Sequence, residues 1–327
     1  MQASFSALEY ANKKKTTRRD RFLNEMQVII PWAELIAVIE PFYPAGEGRG
    51  RPPVGLERML RMYIAQQCFG LSDEGMEDAI YDSQAIRAFV GIDLNREAAP
   101  DATTLLKFRR MLETHQLTSG IFNTINRLLQ QKGLLLKEGS IVDATLIAAP
   151  TSTKNSKGER DPDMHSTRKG NQWYFGMKAH IGVDAESGIV HTLVTTAANV
   201  HDVTQAHALL HGEEKVVFGD AGYQGAERRT ENRATETKWQ IALRPGKRKE
   251  LADTAQGRIL KRIEHIKAGV RAKVEHPFHL IKNIFGLKKV RYKGLLKNTA
   301  QLCTLFGLAN LLIAKRHLAG NDTRIAS

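Results

Sequence analysis

The apolar positions of the first 135 or so residues recur every three or four residues, which is the spacing of amphipathic helices. From Gly139 onward, short apolar runs alternate with turn residues, as strands do. Predicted helices span residues 22–28, 32–39, 56–69, 73–82, 104–113 and 121–129, and predicted strands span 140–148, 172–183, 189–197, 215–219 and 240–243. Ser72 and either Asp101 or Thr103 are predicted to cap two of the helices.

The order of the later elements predicts a particular fold. Three meandering strands are followed by a short helix (202–210), a fourth strand, a fifth strand and a helix around residue 275. This is the order of the ribonuclease H-like fold, in which the first and fourth strands lie side by side. The predicted fold class is therefore α/β, with a mixed sheet flanked by helices (138–327) preceded by an all-helical domain (1–137).

The end of the chain is predicted to form a further helix. Residues 302–314 are almost wholly apolar, which predicts a buried C-terminal helix, and Asn298 to Gln301 have the spacing of a capping box that would open it. Asp161 and Asp163 fall in a predicted loop that runs from residue 150 to 170.

Composition narrows the possible partners. The 327 residues are enough for about two domains, and the net charge of +13 with a pI near 9.7 indicates a polyanion such as nucleic acid. No apolar run reaches the roughly 18 residues of a membrane span, and no glycine-rich phosphate loop indicates a nucleotide cofactor. Cys68 and Cys303 are too few for a disulfide framework, so a reducing cytoplasm is expected.

Three acidic residues are candidates for a metal centre. Asp143 lies within one predicted strand, Asp220 ends another, and Glu275 lies in a helix. A carboxylate in a buried strand is costly unless its charge is compensated. Two Mg²⁺ ions about 3.5–4 Å apart would compensate it and support phosphodiester chemistry. The pattern therefore predicts a metal-dependent enzyme that cuts and joins DNA.

Asp202 admits two interpretations. It has the position of a helix cap, which would account for it fully, and it could also lie near the metal ions. The sequence leaves both open.

Several basic residues are candidate DNA contacts. One helical stripe would contain Arg271, Glu275, Phe278 and Lys282, so that cations flank the carboxylate. The alternative is an exposed ladder of ion pairs along the helix. The stripe interpretation weakens if the helix ends at Pro277. A basic cluster follows this helix: Lys288, Lys289, Arg291, Lys293 and Lys297. In the N-terminal domain, Lys107, Arg109 and Arg110 suit a helix-turn-helix-like DNA reader or an ordinary solvated helix face.

Several motifs together resemble a known family. They are Val142-Asp-Ala-Thr145, Asp220-Ala-Gly-Tyr-Gln-Gly225, Arg271-x3-Glu275-x6-Lys282, and the stretches 39–43, 170–184 and 291–297. These resemble the bacterial DDE transposases of the insertion sequence 5 family over nearly the whole chain.

The resemblance implies that Asp143, Asp220 and Glu275 are catalytic and hold two Mg²⁺ ions, with Mn²⁺ able to replace them. It implies cleavage at the element's ends, followed by attack of the freed 3′-hydroxyl on target DNA. It also implies a homodimer on paired terminal inverted repeats, in the bacterial cytoplasm at the nucleoid.

One position departs from the wider group, which carries a Tyr three residues before the motif's Arg. This chain has Ala268 there, so a role for that Tyr, and second-strand cleavage through a DNA hairpin, cannot be transferred. Two alternative functions stay open. One is a ribonuclease H-like nuclease that never joins DNA, and the other is a catalytically silent DNA-binding regulator.

Overall fold

The computed structural model describes residues 13–46, 52–154, 156, 158–232 and 237–325, with side chains to residue 318. The chain divides into two units, Met1–Thr124 and Ile125–Ser327. The division lies within a helix, and the predicted domain boundary after residue 137 stays a prediction.

The described part of the first unit is helical, as predicted. Its helices are α1 (Arg18–Ile29), α2 (Trp32–Ile39), α3 (Leu56–Phe69), α4 (Asp73–Asp82), α5 (Gln84–Val90), α6 (Ala102–Thr114) and α7 (Leu117–Gln131), which continues into the second unit. A 3₁₀ turn, Glu40–Phe42, extends α2. Their inward faces form an apolar core without exposed surface that includes Met26, Leu35, Ile39, Met59, Leu60, Met62, Met76, Ile80, Leu105 and Leu112.

Helix boundaries follow local capping chemistry. Ser72 accepts the Gly75 N–H over 2.9 Å at the start of α4, and Asp101 accepts the Thr104 N–H over 2.6 Å at the start of α6. Both predicted caps are confirmed, with Asp101 rather than Thr103 serving α6. Helix α5 was not predicted, although Ser83 at its start has the chemistry of an N-cap.

The second unit is built on a six-stranded mixed sheet. Its strands are β1 (Gly139–Ala148), β2 (His165–Lys169), β3 (Gln172–Asp184), β4 (Val190–Ala197), β5 (Val216–Gly219) and β6 (Lys238–Ile241). Strand β3 pairs antiparallel with β1, β2 and β4, whereas β5 pairs parallel with both β1 and β6.

This topology confirms the predicted ribonuclease H-like fold. The principal strands lie in the order β4-β3-β1-β5-β6, with β1 central and directly beside β5. Because β3 is antiparallel to both β1 and β4, the strands β1, β4 and β5 all run in the same direction. Their carboxyl ends therefore meet at one edge of the sheet.

The remaining helices of this unit are α8 (Pro245–Lys249), α9 (Ala255–Arg271), α10 (Glu275–His279) and α11 (Leu295–Ile325). Residues 300–314 of α11 are all buried, as predicted for an apolar C-terminal helix. Asn310 of α11 accepts the Val190 N–H over 2.9 Å and donates to the Val190 carbonyl over 2.7 Å, which connects the helix to β4.

The predicted start of the C-terminal helix is wrong. Asn298 lies inside α11, not before it, and its amide donates back to the carbonyls of Tyr292 and Gly294. The caps come from the distant loop instead, since Asp161 accepts the Gly294 N–H over 2.7 Å and Asp163 accepts the Leu295 N–H over 2.9 Å.

Two further local predictions are corrected. The loop assigned to residues 150–170 ends in strand β2, which pairs with β3. The predicted helix 202–210 consists of two 3₁₀ turns, Asp202–Gln205 and His207–Leu209, and Asp202 does not cap the first of them. The physical reason is that its carboxylate is held by Lys178.

Within the described residues, no single helix combines the length and apolarity that a bilayer span requires. The helices Arg18–Ile29 and Trp32–Phe42 meet that threshold only as a pair, bent by 71°.

Candidate active site

Asp143 and Asp220 lie side by side because of strand register. In the parallel β1–β5 pair, Val142 is opposite Gly219. Asp143 and Asp220 are therefore the next residues along two strands that are about 4.8 Å apart. The predicted adjacency of the first and fourth strands is thereby confirmed, and it places two carboxylates next to each other, one midway along β1 and one at the end of β5.

The backbone at the end of β5 is tightly packed. A Cβ on Gly219 would lie 2.9 Å from Ile241 Cδ1 and 3.2 Å from Tyr223 Cβ, so a larger residue would not fit without movement. One oxygen of Asp220, Oδ1, accepts the Gly222 N–H over 2.8 Å and caps the turn that follows. This bond orients the carboxylate.

Glu275 comes from a helical segment that changes its pitch. Helix α9 passes through a 3₁₀ turn, Ala272–Val274, into α10 and then into a π-helical turn, Leu280–Ile284. Pro277 has no N–H to donate to the carbonyl four residues earlier, and it lies within this irregular stretch. The chain nevertheless continues as a helix, so the proline does not end the segment that carries Glu275.

The three acids line a single cavity of about 690 Å³. Arg271, Phe278 and Lys282 line the same cavity, so the residues predicted to share a stripe with Glu275 do face one space. Among the described residues, none of the ion pairs within 4 Å uses Asp143, Asp220 or Glu275. The ladder of ion pairs around Glu275, which was the alternative interpretation of this stripe, is therefore not present among the described residues.

The electrostatics of Asp143 reflect this crowding of negative charge. The pKa of the Asp143 carboxyl is raised to about 7, chiefly by burial and also by the negative charges of Asp220 and Glu275. The Ala144 N–H, which donates to Oδ1 over 2.7 Å, and the charge of Arg271 act in the opposite direction.

This donor set fits a divalent metal ion. Carboxylate oxygens are the ligands that Mg²⁺ prefers, and three carboxylates in one cavity without a protein cation within ion-pair distance repel one another. A bound cation would remove that repulsion. The same three residues were selected from the sequence for this reason, and their catalytic role stays a prediction.

Asp202 belongs to the same cavity, together with Lys178. Lys178 Nζ donates to Asp202 Oδ1 over 2.8 Å and to the Val200 carbonyl over 2.7 Å. Of the two interpretations of Asp202, the helix cap is wrong and the location near the other acids is correct. The signal was available in the sequence, because Asp202 follows β4, a strand that ends at the same edge as β1 and β5.

The predicted DNA contacts fall into two classes. Lys282 is half-buried in the cavity wall, where burial and the charge of Lys169 lower the pKa of its amine, partly offset by Glu275. The basic cluster is exposed: Lys288, Lys289, Arg291, Lys293 and Lys297. Lys289 forms a bridge with Ala148 at the end of β1, five residues beyond Asp143 along that strand.

In the N-terminal unit, the prediction for Arg109 is wrong. Its side chain is only 9% exposed and pairs with Asp73, to which Nη2 donates over 2.8 Å, and with Glu113 at 3.7 Å. A phosphate could reach it only if these pairs were broken. Lys107 and Arg110 are exposed on the same helix, and their contact with DNA stays a prediction.

A second group of metal-type donors lies at the opposite edge of the sheet. His191, His211 and Glu214 have ligand atoms within 4.8 Å of one another. Glu214 Oε1, however, already accepts from Ser140 Oγ over 3.2 Å and from the His211 N–H over 2.7 Å, and Oε2 accepts the Gly212 N–H over 2.9 Å. Because both lone pairs of Oε1 are engaged, we interpret this group as a hydrogen-bonded anchor for the loop before β5.

The raised pKa of Asp143 has a consequence for stability. Between about pH 4 and pH 7 the folded state keeps a proton on this carboxyl, whereas the unfolded chain, with a carboxyl pKa near 3.9, has released it. Stability contributed by this group therefore falls as the pH rises, and Asp143→Asn removes the effect. In EDTA, the melting temperature of Asp143→Asn relative to the wild type should increase from pH 5 to pH 7 and level off above it. Parallel melting profiles for the two proteins would show that this carboxyl is not perturbed.

Comparison with known proteins places the chain in a family. A family model described as "Transposase DDE domain" matches residues 135–311, more than half of the chain, and one described as "Transposase domain (DUF772)" matches residues 11–111. Among solved structures, the cryo-EM structure of a piggyBac transposase synaptic complex with hairpin DNA is similar over 93% of this chain and 74% of that chain, with 9% identity and a TM-score of 0.45. A likeness that distant supports no inference about this chain, but the family match is decisive. The chain belongs to the DDE transposases of the insertion-sequence type.

Proposed function

We propose that this transposase cuts DNA at the ends of its insertion sequence and transfers the resulting 3′-hydroxyl ends to target DNA, with Mg²⁺ held by Asp143, Asp220 and Glu275. The observation that carries the proposal is the convergence of three acids, from two strands and a helix, on one cavity without an ion-pair partner among the described residues. The resemblance to the insertion sequence 5 family supports the same reaction.

The three acids reach the cavity from different elements. Asp143 and Asp220 project from the central strands of the sheet, which fixes their separation, and Glu275 reaches the cavity from a helix. Two bound Mg²⁺ ions would activate the attacking oxygen and neutralise charge on the leaving oxygen. Asp143 must lose its proton to serve as a ligand, so metal affinity should rise with pH through about 7.

The cations around the cavity suit a nucleic-acid backbone. Arg271 and Lys282 lie in its wall and would contact phosphates beside the reacting bond. The exposed basic cluster from Lys288 to Lys297 follows directly and would contact the DNA further from that bond. Such contacts depend on charge and are expected to weaken with added salt.

The proposal also covers the DNA substrates and the oligomeric state of the protein. The substrates are double-stranded terminal inverted repeats and target DNA, bound by a homodimer on paired ends in the bacterial cytoplasm. The N-terminal unit would contribute to DNA binding and dimerisation, with Lys107 and Arg110 as exposed candidates. Ala268 stands where the wider group has Tyr, so no route for second-strand cleavage is assigned.

A joining assay tests the central step. Duplexes that end in the inverted repeat, pre-cut to expose a 3′-hydroxyl, are incubated with the protein and a supercoiled plasmid in Mg²⁺, Mn²⁺ or EDTA. Joined products are expected with either metal and not with EDTA. A matched duplex with a 3′-deoxy terminus should give none, because it lacks the attacking oxygen.

The assay also separates the alternatives. Cleavage of uncut ends without any joining would identify a nuclease. Binding to the end DNA without cleavage or joining in either metal would identify a catalytically silent regulator. Either outcome would overturn the proposed function.

A further inference from the structure

Asp202 is a fourth carboxylate in the cavity, and the three-acid motif does not include it. It follows β4, whose carboxyl end lies at the same edge of the sheet as those of β1 and β5. Asp220 follows β5, Asp202 follows β4, and Asp143 lies within β1, level with the end of β5. Glu275 arrives separately from a helix.

The two oxygens of Asp202 have different surroundings. Lys178 Nζ donates to Oδ1 over 2.8 Å, and the side chains of this pair are 17% and 29% exposed. The other oxygen, Oδ2, is 3.8 Å from the position that a Cβ on Gly222 would take, and Asp220 Oδ1 is 2.9 Å from that same position. Both carboxylates therefore lie within 4 Å of the point where a residue other than glycine would carry its Cβ.

This arrangement is compatible with a shared pair of ions. Asp202 Oδ2 and Asp220 Oδ1 are no further apart than the sum of those two distances. Two ions about 3.5–4 Å apart, each with an outer oxygen ligand at about 2 Å, can be held by oxygens that are further apart than this. The separation of the two carboxylate oxygens is therefore within reach of such a pair. A side chain on residue 222 would come close to both carboxylates, and glycine avoids that crowding.

Buried polar atoms near Asp202 support a site and not a passive ion pair. His180 is fully buried, its Nδ1 is 3.8 Å from Asp202 Oδ1, and that nitrogen has no hydrogen-bond partner among the described residues. His180 Nε2 is held by Thr196 Oγ1 at 2.8 Å, which fixes the ring. This fixed, buried ring therefore places an unsatisfied polar atom beside Asp202, at a distance beyond a hydrogen bond.

We propose that Asp202 is a fourth carboxylate ligand of the metal-binding group, oriented by Lys178. The inference rests on the proposed function, since it concerns the same metal ions. Lys178 engages one oxygen of Asp202, and the other lies near Gly222, which is also close to Asp220. The pair is therefore a ligand and its positioning cation, and not a salt bridge that serves the fold alone.

The test measures metal binding without DNA, so it does not depend on turnover. Free Mn²⁺ is followed by electron paramagnetic resonance during titration of the wild type, Asp202→Asn, Asp202→Glu and Asp143→Asn. Asp253→Asn is the control, because Asp253 is exposed and lies outside the cavity. We expect Asp202→Asn to weaken Mn²⁺ binding about 10-fold or more, Asp202→Glu to recover part of the loss, and Asp253→Asn to match the wild type.

The outcomes separate this inference from the proposed function. If Asp143→Asn loses Mn²⁺ while Asp202→Asn binds it as the wild type does, Asp202 is not a ligand and the proposed function is unaffected. If Asp143→Asn also binds Mn²⁺ normally, both fail. Melting in EDTA identifies a structural role: a large loss of melting temperature in both Asp202 variants, with unchanged Mn²⁺ affinity, would make Asp202 a residue of the fold.

Discussion

Asp143→Asn is expected to reduce cleavage of end DNA by roughly a thousandfold or more, which corresponds to about 4 kcal/mol of lost transition-state stabilisation. The reason is geometric. Asp143 lies on the central strand beside Asp220 and shares a cavity with Glu275, so its loss removes a ligand from the middle of the proposed group. Asparagine preserves the volume but cannot supply a negative oxygen. The measurement is the rate of end cleavage in Mg²⁺ under single-turnover conditions.

Two controls make this result specific. Asp253→Asn changes an exposed acid outside the cavity and should cleave as the wild type does. Binding of end DNA by Asp143→Asn in the absence of metal should be retained, because the substitution removes negative charge near the phosphates. Wild-type cleavage and transposition by Asp143→Asn would refute its assignment as a catalytic residue.

Arg109→Met is expected to destabilise the N-terminal unit by about 3–5 kcal/mol, the usual cost of breaking a buried ion pair from one side. Arg109 is the shared partner of Asp73 and Glu113, whose side chains are 18% and 11% exposed. Without the guanidinium, both carboxylates lose this pairing, although Gln66 still donates to Asp73 over 2.7 Å. The measurement is the urea or thermal unfolding transition of the whole chain.

The neighbouring residue provides a matched control. Arg110 is exposed on the same helix, so Arg110→Met should change stability by no more than about 0.5 kcal/mol. If Arg109 contacted DNA, Arg109→Met would weaken DNA binding without loss of stability. That result would restore the interpretation that its burial has overturned.

The contrast between Arg109 and its neighbours shows a limit of sequence patterns. Lys107, Arg109 and Arg110 are chemically alike and close in sequence, and nothing local distinguishes them. Which of the three is buried depends on the neighbouring helices. Asp73, on α4, is 36 residues from Arg109 and pairs with Arg109 but not with Lys107 or Arg110. Such a pairing is decided by packing, because it requires two helices to meet in one register.

The fold, by contrast, was largely predictable. Helix starts at Ser72 and Asp101 were correctly predicted because a cap acts on N–H groups only two or three residues away. The strand order was predictable because the ribonuclease H-like arrangement follows from the sequence of elements. The adjacency of the first and fourth strands followed from it, and so did the expectation that Asp143 and Asp220 lie together.

The local errors have a common cause. Asn298 has the chemistry of an N-cap, yet Asp161 and Asp163 cap helix α11 from more than 130 residues away. Asp202 also has the chemistry of a cap, but Lys178 of the adjacent strand competes for its carboxylate. Strand β2 was assigned to a loop because residues 150–170 are rich in Ser, Lys and Asp, and only pairing with β3 makes it a strand.

The amino-acid sequence by itself determined most of the helical and strand segments, the basic character of the chain and the candidate acids, because these depend on composition, periodicity and spacing along the backbone. Tertiary structure alone decided that Arg109 is buried, that distant aspartates cap the last helix and which of the two interpretations of Asp202 is correct. Each of these depends on which charged group lies nearest in space. That distance is set by the packing of elements remote in sequence, and no local pattern encodes it.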